Sequence, residues 1–88
     1  MPVATENFQI ETTNNSLRTD FPEISTRISQ KIEQCRLALG MTQTEFAKYM
    51  HVSQTMISNW ESKKYNFTIR SLSEIAEKLG HPISFFLN

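Results

Sequence analysis

The sequence predicts an all-α domain of five helices joined by short connections, preceded by a flexible N-terminal arm. Three observations predict it. Two helix starts stand close together: a capping box at Thr42 and Glu45, and a second cap at Ser53. Apolar residues recur at helical spacing on both sides of them, at Ile24, Ile28, Ile32, Cys35 and Leu39, and again at Ile69, Leu72, Ile75, Ala76 and Leu79. Gly40 and Gly80 follow those two runs, where a helix ends on a residue that tolerates left-handed geometry.

Taken in order, residues 1–19 are polar, rich in Asn and Thr, and without helical periodicity; they read as a flexible acidic arm. Within it, Phe8-Gln9-Ile10-Glu11 alternates apolar and polar, a weak strand signal. The domain proper is read as 20–88. Asp20 with Glu23 can cap its first helix, with Pro22 in the first turn; Ser25 is an alternative start. Cys35 on the apolar face is a small core residue. The helix Thr42–Met50 turns Phe46, Ala47 and Met50 inward, Val52 follows in the turn, and the helix Ser53–Glu61 buries Ile57 and Trp60. Ser62 to Phe67 is a loop, Thr68 caps the fourth helix, and Pro82 suits the first position of a last short one. Ile83, Phe86 and Leu87 would close the core, which leaves Phe85 outward.

A chain of 88 residues makes one small domain with one modest core, for which dimerisation is the expected support. One cysteine excludes an intrachain disulfide, and a lone thiol suits a reducing cytoplasm. No Cys/His set has metal-ligand spacing, so no metal or cofactor is expected. No apolar run spans a membrane, and no signal peptide is visible. A Ser/His/Asp set, paired carboxylates and a glycine-rich phosphate loop are all missing, so the chain is not read as an enzyme.

The formal charge of zero conceals a division. In residues 1–24, Arg18 stands against Glu6, Glu11, Asp20 and Glu23, a net −3. The remainder carries a net +3 and is mildly basic, which suits a DNA partner. The second central helix points the same way. Gln54, Thr55, Ser58 and Asn59 fall on one outward strip of amides and hydroxyls, with no charge and no aliphatic residue. Amides can bond adenine bidentately, and hydroxyls suit several base edges or phosphates. The pair of helices looks like a helix-turn-helix with its recognition helix at about 53–61.

Three motifs in fixed order, G-M-T-Q-x-E-F-A, H-V-S-Q-x-x-I-S-x-W-E and N-F-T-I-x-S-L-x-E-I-A-x-x-L-G, resemble the lambda-repressor-like helix-turn-helix family, the Cro/C1 or XRE group of bacterial and phage transcription regulators. The resemblance covers about residues 25–88. It implies that Gln54, Thr55, Ser58 and Asn59 contact bases. It implies phosphate contacts from Gln43, Lys64 and Asn66, with the capping residues Thr42 and Ser53 beside them. Arg36 and Glu61 match a family ion pair, and the last helix, with Phe85, matches a region where members dimerise. Three positions depart from the family: His51 and Lys63 stand where glycine is frequent, and Phe67 where proline is.

Several side chains have two readings. The polar strip alone could be a solvated helix face. Lys63, Lys64 and Arg70 could be surface charges or phosphate contacts. Met56 could meet a thymine methyl or pack on the helix flank. Trp60 reads as core rather than a platform for bases. His51 and His81 read as turn and cap residues. The function expected is a cytoplasmic, sequence-specific DNA-binding repressor that grips a palindromic operator in double-stranded DNA as a homodimer. The alternatives are an antitoxin whose acidic arm binds a protein partner, and a protein-interaction module on the same scaffold.

Overall fold

The computed structural model describes residues 22–88. The expected arm at 1–19, its alternating stretch and the Asp20 cap lie outside the described residues. Five helices follow one another: α1 Pro22–Ala38, α2 Gln43–Met50, α3 Gln54–Trp60, α4 Ile69–Leu79 and α5 Ile83–Leu87. The all-α expectation holds for them. No described helix is long and apolar enough to cross a membrane.

The starts follow the polar signals in the sequence. Thr42 caps α2, its hydroxyl accepting from the Glu45 N–H while the Glu45 carboxylate accepts from the Thr42 N–H, a complete capping box. Ser53 and Thr68 cap α3 and α4 by accepting from the N–H groups of Met56 and Ser71. Pro82 stands one place earlier than expected, as the cap residue of α5 rather than its first turn.

Three helices end in one motif. A residue with positive φ follows the helix; its N–H bonds three residues back and the next N–H five residues back. Gly40 at φ 71 does this for α1, and Gly80 at φ 76 for α4. For α2 the residue is His51, at φ 62 and ψ 43, with its N–H on Lys48 and that of Val52 on Ala47. The departure from glycine thus leaves the turn intact, because histidine visits the left-handed region more readily than most side chains. The Lys78 ammonium adds a bond to the Met50 carbonyl at 2.7 Å, satisfying one of the carbonyls a helix end leaves over.

The core collects Ile28 and Ile32 of α1, Phe46, Ala47 and Met50 of α2, Ile57 and Trp60 of α3, Leu72, Ile75 and Ala76 of α4, and Phe86 of α5. Helix α2 packs on α3, and α5 on both α1 and α4. Two expected inward residues are not inward: Leu39 lies past the end of α1 and is 46% exposed, and Ile69, first in α4, is 38% exposed. Periodicity marks a face, but a residue at a helix end has no neighbouring turn to cover it. Phe67, in a loop, is wholly buried and meets Tyr65 edge-on at 4.8 Å. Cys35, expected in the core, is half-buried at its edge; burial pushes its thiol above the ordinary pKa, with Lys31 opposing, so the thiol stays protonated at neutral pH.

His51→Gly is expected to raise stability by about 0.5–1 kcal/mol, since a Cβ is disfavoured in left-handed backbone. His51→Val should lower it, because a β-branched residue fits that region worst. Urea unfolding of the two variants measures both signs.

Candidate nucleic-acid interface

Helix α3 carries the polar strip. Ile57 and Trp60 anchor its inner face, and Gln54, Thr55, Ser58 and Asn59 are all exposed on the other. Trp60 is buried core. Met56 is half-buried and lines a groove with Met50, Val52, Trp60 and Tyr65, the flank-packing reading rather than the base-contacting one.

Three of the expected phosphate-facing residues, Thr42, Gln43 and Ser53, are held by a side-chain hydrogen bond that leaves donors free. Thr42 and Ser53 use their hydroxyl oxygens as cap acceptors, which spares the hydroxyl protons. Gln43, first in α2, donates one amide hydrogen to Glu61 Oε1 at 3.1 Å and keeps the second. Lys64 and Asn66 are exposed on the loop after α3, and with Lys63 they border a depression shared with Pro22 and Ser25 at the start of α1. Arg70, grouped with these lysines by proximity in sequence, instead leans toward Glu74 at 3.7 Å on the open surface of α4.

Arg36 and Glu61 form the expected pair. Arg36 Nε and Nη2 donate to the two carboxylate oxygens at 2.8 and 3.1 Å, and Nη1 reaches the Met41 carbonyl at 2.9 Å. Their side chains are 11% and 5% exposed, so the pair is nearly dry. The bond to Glu61, more than any other influence, holds the Arg36 guanidinium above its ordinary pKa. A forked donor on a planar acceptor sets orientation as well as distance.

Phe85 differs from its expectation. It is half-buried rather than outward: its ring stacks on His81 at 4.0 Å, lies under the Lys31 ammonium at 4.5 Å and meets Phe86 edge-on. It lines an apolar depression with Cys35, Ala38, Leu39, Tyr49 and Leu79.

Two residues that sequence reasoning missed belong to this site. Thr44 Oγ1 donates to Gln54 Oε1 at 3.0 Å, joining the start of α2 to the start of α3. Ser29, buried in α1, donates to the Trp60 carbonyl at 2.6 Å and accepts from the Lys63 N–H at 3.2 Å. Lys63 has φ 69, a left-handed corner where the family often has glycine. One serine therefore secures both the end of α3 and the corner from which Lys64 departs. The sequence carried no signal for it, since the contact joins residues 31 and 34 apart. Ser29→Ala would strand a buried carbonyl and a part-buried N–H, and is expected to cost about 1–3 kcal/mol in denaturant unfolding.

The profile of the helix-turn-helix family HTH_3 matches residues 32–86, more than half of the chain. No curated protein sequence matches it. Among solved structures, a hypothetical transcription factor, NHTF, from Neisseria superposes with a TM-score of 0.65 at 22% identity, covering 74% of this chain and 75% of that one. An HTH_3 family transcriptional regulator from Vibrio cholerae gives 0.63 at 25% identity over 74% of this chain and 36% of that one. The wild-type restriction-modification controller protein C.Esp1396I gives 0.59 at 33% identity, over 72% and 81%. With its paired helices, exposed polar strip and buried Arg36–Glu61 brace, the chain belongs to the HTH_3 helix-turn-helix family, the Cro/C1 or XRE type of DNA-binding transcription regulators.

Proposed function

We propose that the chain is a sequence-specific repressor that works in the cytoplasm as a homodimer, with α3 of each copy in the major groove of a palindromic operator. The observation that supports this most is the exposed, uncharged strip of Gln54, Thr55, Ser58 and Asn59 standing on buried Ile57 and Trp60. Side chains that pair with base edges read sequence, whereas phosphate contacts only orient the protein. Thr42, Gln43, Ser53, Lys64 and Asn66 would supply the orienting contacts. Bound in this way, the protein represses by occupying DNA that polymerase needs.

A second copy supports affinity in this reading. The domain at 25–88 carries a net charge of only +3, so phosphate attraction by one copy alone gives a weak grip. Two-fold pairing would set two recognition helices about 34 Å apart, one helical turn of DNA. The apolar depression around Phe85, with Leu39 and Tyr49 46% and 44% exposed beside it, is surface that a second copy can cover. The likeness to a restriction-modification controller favours a narrower second reading, a regulator of a restriction-modification locus. The genes beside this one decide between a general and a dedicated role.

Selection from a randomised duplex pool should enrich one palindromic site, bound more weakly as salt rises. Gln54→Ala should then lose about 1–3 kcal/mol of discrimination at one base pair per half-site. Failure of the wild-type protein to enrich any sequence at low salt would sink the repressor reading. In sedimentation, the wild-type protein should run as a dimer and Phe85→Lys as a folded monomer; an unchanged dimer would remove Phe85 from the interface.

A further inference from the structure

Lys63 stands at φ 69, in left-handed backbone where a Cβ is disfavoured and glycine would sit without strain. The corner is held from two sides. The buried hydroxyl of Ser29, in α1, accepts from the Lys63 N–H at 3.2 Å. The Ser62 hydroxyl donates to the Asn59 carbonyl at 2.8 Å and accepts from the Lys64 N–H at 3.2 Å. Asn59 closes the polar strip, so the corner is fastened to the backbone of α3 itself.

The side chain carried by this backbone is exposed, and among the described residues it pairs with no carboxylate. Glu23, in the first turn of α1, pairs with neither Lys63 nor Lys64. Lys63, Lys64 and Asn66, all exposed, border one depression against the start of α1. Two cations and an amide therefore share one face beside the end of α3. Strained backbone that its surroundings keep in place gathers at functional sites. A corner that had only to turn the chain would be served by glycine. Lysine adds what glycine lacks, an ammonium, and an ammonium is a point-charge partner for phosphate. A duplex offers one phosphate charge for about every 1.7 Å of its axis.

We propose that Lys63 is a DNA phosphate contact additional to Lys64, and that the Ser29 and Ser62 hydroxyls hold the left-handed corner so that a lysine can stand there. This rests on the DNA-binding reading above and gives the loop a second cation per copy. Such a contact strengthens and orients binding but reads no base.

The test uses the full chain, the duplex that the wild-type protein enriches from a random pool, and a random-sequence duplex. Lys63→Gly relaxes the corner, so its midpoint in urea should rise. Its Kd should nevertheless rise about fivefold or more at about 0.1 M salt, alike on both duplexes. The slope of log K against log salt should fall by about 1 per copy. Stability and affinity then move in opposite directions, which a merely structural corner would not produce. Lys63→Gln keeps the strained backbone and loses the charge; it should show the same weakening with no gain in stability. Lys63→Arg keeps the charge and should bind within about twofold of wild type. Wild-type affinity in Lys63→Gly overturns the proposal. So does a loss confined to the enriched duplex, or a lower midpoint in urea, which would show an unstrained corner. A wild-type protein that retards neither duplex at low salt ends the DNA reading itself; a wild type that binds, beside a Lys63→Gly that binds equally well, removes this contact alone.

Discussion

The carboxylate of Glu61 holds the two central helices in register. It sits at the end of α3 and receives Arg36 from α1 on both oxygens and Gln43 from the start of α2 on one. Apolar packing brings α2 and α3 together but is not directional. The forked guanidinium and the amide add direction, so the angle at which α3 is presented depends on them. A nearly dry ion pair is a poor source of net stability, because desolvation consumes much of the attraction. Its value here is geometric. Arg36 also ties down the Met41 carbonyl, so the turn before α2 belongs to the same brace.

Much of this was legible in the residues. The caps at Thr42, Ser53 and Thr68 are local chemistry, in which a hydroxyl serves an N–H three positions on, and local chemistry survives in sequence. The buried face of α1 was legible through Ile28 and Ile32. What failed to show were contacts between distant positions. Ser29 looks like a polar residue beside an apolar stripe, yet it is buried and spans to Trp60 and Lys63. Phe67 looks like a loop residue and is core. Leu39 fits the spacing of α1, but the helix stops at Ala38 and leaves it uncovered. Spacing tells which face a residue shares, not whether another element arrives to cover it.

The left-handed corners divide the same way. Gly40 and Gly80 announce themselves, while His51 and Lys63 take up equivalent backbone without a glycine. Each non-glycine corner has its N–H bonded, to the Lys48 carbonyl for His51 and to the Ser29 hydroxyl for Lys63. Strained backbone persists when its surroundings over-determine it. At Lys63 that support comes from α1, so the loop bearing Lys64 and Asn66 takes its placement from the first helix as well as from the helix it follows.

The absence of charge from the strip on α3 bears on how such a protein would search a chromosome. Lysines and arginines on a reading helix hold a protein on any stretch of DNA, and a genome offers vastly more decoys than targets. A strip of amides and hydroxyls offers little to a non-cognate duplex beyond shape. Dwell time on wrong sequence would be short, and the pool of unbound molecules correspondingly large. A protein that reads DNA in this way would trade raw grip for a low background on wrong sequence.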